Sequence, residues 1–106
     1  MVENNYSVHF TKIATHDLDD IYRYISEELF ADNVAIEMLK RIENSIMQLK
    51  KFPKMGSKVK DGYLRMKGYR KIIVDSYITF YIVDDEKEQV IIMRVLYGKR
   101  KYEDLL

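Results

Sequence analysis

Tyr6, Val8 and Phe10 alternate with the polar Ser7 and His9, and a period of two belongs to a half-buried strand. The period then changes. Ile13, Leu18, Ile21, Tyr22, Ile25 and Leu29 recur mostly at spacings of three and four, which predicts an amphipathic helix starting at Thr11 or Thr15. Ala35, Met38, Leu39, Ile42, Ile46 and Leu49 repeat the pattern behind Asp32, a candidate N-cap, and the run stops before Phe52-Pro53, where proline disfavours helix in the residue preceding it. Two helices separated by a few residues are expected to fold back as an antiparallel hairpin.

Beyond Pro53 comes a polar stretch with Gly56 and Gly62, expected to be a loop and the most mobile part of the chain. Tyr63 to Lys67, Tyr69 to Val74, Tyr77 to Val83 and Gln89 to Leu96 are rich in β-branched and aromatic residues and predict four short strands. Turn chemistry at Gly68, Asp75-Ser76 and Asp84 to Glu88 separates them. The expected fold is therefore α+β: an N-terminal strand, then a two-helix hairpin packed on a small antiparallel sheet, in the order β-α-α-β-β-β-β.

The chain has 106 residues, 47% of them hydrophobic, which suits one domain spanning residues 1–106 and not two. It contains no Cys, so disulfide scaffolds, thiol nucleophiles and iron–sulfur ligation are excluded, and a reducing, cytoplasmic setting is expected. No run of about 18 apolar residues predicts a membrane span. The formal net charge is only +1, but charge is segregated along the chain. Asp17 to Glu43 carries eight acids against Arg23, Lys40 and Arg41, whereas Lys50 to Lys71 carries nine bases against Asp61 alone. The helical half is acidic and the loop-and-sheet half basic.

Arg94, Lys99, Arg100 and Lys101 add a second basic group near the C-terminus, and six of the nine tyrosines, Tyr63, Tyr69, Tyr77, Tyr81, Tyr97 and Tyr102, are interleaved with the two groups. Cations for phosphates beside aromatic faces for unstacked bases suit single-stranded RNA; the same pattern also describes the solvated face of an antiparallel sheet. With two histidines, no His-Glu-x-x-His pattern and no Gly-rich phosphate loop, neither a metal nor a cofactor is expected. Asp17, Asp19 and Asp20 are read as complementing a helix N-terminus. Chemistry without a metal is feasible on RNA, whose 2′-OH is the nucleophile and needs a base, an acid and cations around the phosphate. Arg65, Lys67, Arg70, Lys71, Arg94 and Arg100 are the candidate cations, and Tyr81, Tyr97, Tyr102 and His9 the candidate stacking or proton-transfer groups. Strand alternation sets Arg70 on the face of Ile72 and Val74, and Arg94 on the face of Ile92 and Leu96. An arginine among apolar neighbours either lines a wet concave site or pairs with a helix carboxylate.

The whole chain resembles the RelE/ParE superfamily of type II toxin–antitoxin toxins. The resemblance is carried by Phe10-Thr11, Asp17 to Tyr22, Phe52-Pro53, Gly68 to Lys71, the Tyr77 to Val83 strand and, above all, Arg94 to Tyr102. It implies a toxin neutralised by a cognate antitoxin, with which it forms a hetero-oligomer, and a role in plasmid stabilization. RelE-like members cleave mRNA on the ribosome; ParE-like members bind and poison DNA gyrase. The leading reading is an mRNA interferase, an endoribonuclease that inhibits translation, with Arg70, Arg100, Tyr81 and Tyr102 as catalytic residues. Arg65, Lys67, Lys71, Arg94, Tyr97 and Lys99 would bind substrate. Gyrase inhibition is the alternative, and a non-toxic protein-interaction module the second. Ile78 and Ile72 stand where nucleases of the superfamily carry basic residues.

Overall fold

A computed structural model describes residues 5–98 and Leu106. Strand β1, Ser7–Phe10, leads into α1, Lys12–Arg23, which continues as a π-helical turn, Tyr24–Glu28. Helix α2, Asp32–Met47, ends in a 3₁₀ turn, Gln48–Lys50. Then follow β2, Ser57–Lys58; α3, Gly62–Met66; β3, Arg70–Val74; β4, Tyr77–Asp84; and β5, Gln89–Tyr97. The five strands form one sheet in the order β1-β5-β4-β3-β2. Its β5-β4-β3-β2 portion is antiparallel, but β1 runs parallel to β5, from Ser7 opposite Gln89 to Phe10 opposite Ile92. The sheet is therefore mixed rather than wholly antiparallel, because a period of two reports which face is buried and says nothing about strand direction.

The helical hairpin buries its apolar stripe on one face of the sheet. Ala35, Ile42, Ile46 and Leu49 from α2 and its 3₁₀ turn meet Ala14, Ile21 and Ile25 from the first helix, with Tyr81, Val90, Ile92 and Val95 beneath them. The stripe on α1 is rotated from expectation. Ile13 and Leu29 are more than half exposed, while Ala14 and Asp17 are buried. The helix starts at Thr11, whose hydroxyl accepts from the Ala14 N–H and donates to the Met93 carbonyl, so this end of α1 is anchored to β5 and the buried face follows from that anchor. The second helix starts one residue earlier than expected, with Ala31 and not Asp32 at its N-cap: Asp32 lies in its first turn and accepts from the Ser26 hydroxyl.

Two expectations for the middle of the chain are corrected. Tyr63 to Lys67 is not a strand. The Asp61 carboxylate accepts from the Leu64 N–H to start α3, and Gly68, at φ +87, ends it as Gly68 N–H bonds the Arg65 carbonyl and Tyr69 N–H that of Leu64. Those paired bonds around a left-handed glycine form a Schellman cap. The edge of the sheet is taken instead by Ser57–Lys58, inside the stretch read as loop. That stretch is anchored, with Pro53, Gly56 and Val59 buried. Val59 and Leu64 join Tyr69, Ile78, Phe80 and Leu96 in a second core on the sheet's outer face, against which Leu106 also packs.

Candidate functional site

The predicted site residues fall into three places, and Arg70 and Tyr81 occupy the first. They face each other across β3 and β4, and both grip the loop that follows α2. The Arg70 guanidinium donates to the Gly56 carbonyl at 2.8 Å and the Lys54 carbonyl at 3.3 Å. The Gly56 N–H donates to the Tyr81 hydroxyl at 2.9 Å, and Tyr81 is fully buried. Burial pushes the Tyr81 phenol up, partly offset by the Gly56 N–H and by Arg70, so the group is held neutral and away from general-base chemistry. Position 56 accepts only glycine: an added Cβ would lie 2.5 Å from the Tyr81 oxygen and 2.6 Å from the Lys71 carbonyl.

The second place is α3, where Arg65 and Lys67 are exposed. The Lys67 ammonium sits 4.7 Å from the centroid of the Tyr63 ring, and a hydrogen bond with the Tyr63 side chain holds it above the ordinary lysine value. Lys71 lies on β3 in one register row with Phe80 and Arg94.

The third place is the far end of β5. Arg94 does not share a face with both Ile92 and Leu96, because a bulge opposite Phe80 and Tyr81 shifts the register and sends Ile92 to the helical core and Leu96 to the outer one. Of its two possible environments Arg94 takes the helix carboxylate: its Nε and Nη2 donate to the two oxygens of Asp17 at 2.8 and 2.9 Å. The Val95 N–H adds a third bond to Asp17 at 3.0 Å. Pairing with β1 ends at Ile92, which leaves the next stretch of β5 as an edge with exposed backbone donors. Asp17 closes that edge. It is thus a buried structural anchor in the second turn of α1 and not a complement to the helix N-terminus, a role visible only once α1 is laid on β5. The bond with Asp17 holds the Arg94 proton more firmly than in a free guanidinium.

Tyr97 packs edge-on against Tyr77, ring centroids 5.8 Å apart, on the wall of a cleft that also receives Tyr24 and Asp20. Sequence reading singled out Tyr97 but missed Tyr24 and Asp20 as its neighbours. Asp20 and Tyr24, one helical turn apart, share a face that the sequence does show, but nothing local indicates that β5 brings Tyr97 to it. His9 is exposed on β1, with Nε2 at 3.0 Å from the Ser7 hydroxyl. Lys99, Arg100 and Tyr102 lie outside the described residues. Among the described residues, no three His, Asp or Glu side chains come together as a metal site, and no helix is long and apolar enough to cross a membrane.

Residues 8–102 match the family described as ParE toxin of type II toxin-antitoxin system, parDE. Among solved structures, the chromosomal ParDE system of P. aeruginosa superposes with a TM-score of 0.74 at 18% identity, covering 91% of this chain and 99% of that one. A chain of the RelBE2 toxin–antitoxin complex of Mycobacterium tuberculosis follows at TM-score 0.66 and 23% identity, covering 88% and 98%. A variant of the E. coli toxin RelE in the free state gives 0.64 at 18%, covering 90% and 85%. No curated protein sequence matches the chain.

Proposed function

The chain belongs to the family of ParE toxins of type II toxin–antitoxin systems, and from that premise we propose that it arrests growth by binding DNA gyrase rather than by cleaving mRNA, and that a cognate antitoxin neutralises it. One observation carries the choice between the two activities. Each predicted catalytic or cationic group in the sheet that faces an apolar environment is committed to the fold: Arg70 to the carbonyls of Lys54 and Gly56, Tyr81 to the Gly56 N–H, and Arg94 to Asp17. In-line attack by a 2′-OH needs a proton acceptor and cations open to the phosphate; Arg94 is neutralised by Asp17, Tyr81 is buried, and Arg70 is held in place by the loop carbonyls it bonds. Ile72 and Ile78, half-buried and buried, supply no replacement. Binding makes no such demand, and the exposed Arg65, Lys67, Tyr63 and Met66 of α3 provide cationic and aromatic contact area.

The antitoxin reading is supported by the solved relatives that are toxin–antitoxin complexes and by the charge segregation of this chain. The nuclease reading rests on Arg100 and Tyr102, outside the described residues.

The test is expression of the chain alone in growing cells, reading plasmid supercoiling and, by primer extension, the integrity of ribosome-bound messages. Altered supercoiling with intact messages is the expected result. Cleavage at defined codon positions that disappears in Arg100→Ala would replace gyrase binding with the interferase reading, and neither effect would leave a non-toxic interaction module.

A further inference from the structure

A cleft of about 660 Å³ opens between the end of the first helix and the paired ends of β4 and β5. We infer that it is a receptor for an arginine side chain carried, between apolar residues, on a polypeptide segment of a partner. Three tyrosine rings line it, Tyr24 from the π-helical turn, Tyr77 from β4 and Tyr97 from β5, with Tyr77 and Tyr97 set edge to face. Tyr24 is 55% exposed and Tyr97 41%, so both offer ring area to an incoming group while Tyr77 forms the more buried side.

The charge in the cleft selects what enters. Asp17 reaches its wall, but its two oxygens are already taken by Arg94 and the Val95 N–H. Asp20, one turn further along α1, is exposed and makes no ion pair among the described residues. A cleft with several aromatic faces and one uncompensated carboxylate attracts a cation, and a planar, weakly hydrated guanidinium stacks on tyrosine and bonds a carboxylate better than an ammonium does. Ile21, Leu29, Val95 and Leu96 make up the apolar remainder of the walls, which is why the arginine is expected to arrive flanked by apolar side chains rather than as a free cation. The acidic helical half of the chain adds long-range attraction for such a segment.

The inference is drawn from the cleft's own rings and charge and does not depend on which inhibitory activity the chain has. It is tested by NMR titration of the full 106-residue chain with three peptides: acetyl-Leu-Arg-Leu-amide and its lysine and citrulline counterparts. The expected result is a set of shifts centred on Asp20, Tyr24, Ser76 and Tyr97, with lysine binding about fivefold more weakly than arginine and citrulline more weakly still. Asp20→Asn should weaken the arginine peptide about fivefold. Tyr24→Phe should keep binding and Tyr24→Ala lose it, both at exposed positions that leave the folded spectrum intact. Equal binding of arginine and citrulline peptides, shifts elsewhere on the surface, or none at all would overturn the assignment.

Discussion

Asp17 has both of its oxygens occupied by donors from β5, and its side chain is only 8% exposed. Removing one partner of such a pair strands the other charge, which costs far more than the pair itself contributes. Asp17→Ala is therefore expected to lower unfolding free energy by about 3–5 kcal/mol in urea denaturation, and the companion change Arg94→Leu should recover much of that loss. A loss below about 1 kcal/mol would show the pair to be as screened as a surface bridge. Tyr81 gives the second residue-scale prediction. Burial raises its folded pKa, so its contribution to stability is fully present below the ordinary tyrosine value and is lost as pH rises through the raised folded value. Tyr81→Phe should remove that alkaline loss while costing about 1–3 kcal/mol at neutral pH, because the buried Gly56 N–H loses its acceptor. Thermal melts of both proteins across alkaline pH would check the sign.

At the scale of elements, α3 shows how a five-residue helix outcompetes a strand. Tyr63, Leu64 and Met66 have no marked preference that would settle the matter, and the outcome comes from the two ends: the Asp61 cap and the left-handed Gly68. Both signals stand in the sequence, but five residues between them are too few for a helical period to be read. The glycines at the two ends of α3, Gly62 as its first residue and Gly68 just past its C-cap, then behave differently. Gly68 at φ +87 tolerates no Cβ without strain, whereas nothing lies within 4 Å of a Cβ at Gly62. Gly68→Ala is expected to cost about 1–2 kcal/mol, and Gly62→Ala to be neutral or to stabilise by up to about 1 kcal/mol through the unfolded chain. Differential scanning calorimetry of the two variants would separate them. The loop before α3 shows the converse case, since a stretch of Lys, Gly and Ser residues read as loose is fastened by Arg70 and Tyr81.

For the whole molecule, the separation of an acidic helical half from a basic half that includes the sheet edge and α3 governs encounter more than affinity. The association rate with an antitoxin is expected to fall steeply as ionic strength rises, with little change in dissociation, in stopped-flow measurements at several salt concentrations. Salt-independent association would assign recognition to apolar contact instead. The same segregation leaves Asp20 beside exposed aromatic rings on the acidic side and Lys67 beside Tyr63 on the basic one.

What the sequence determined by itself is what repeats locally or is bounded by its own chemistry: β1, the two helices and their order, the α2 stripe, β3 to β5 with their turns, and the charge of each half. The resemblance carried by Arg94 to Tyr102 and the segments before it led to the family. Only the tertiary structure decided that β1 runs parallel to β5, that Ser57–Lys58 forms the sheet edge, that Asp17 and Arg94 spend their charges on one another, and that Asp20, Tyr24, Tyr77 and Tyr97 share a cleft. Each of these depends on groups distant along the chain, or on a register shifted by one bulged residue. A periodic pattern records the face a side chain occupies, whereas its partner is chosen by packing, once the elements have met.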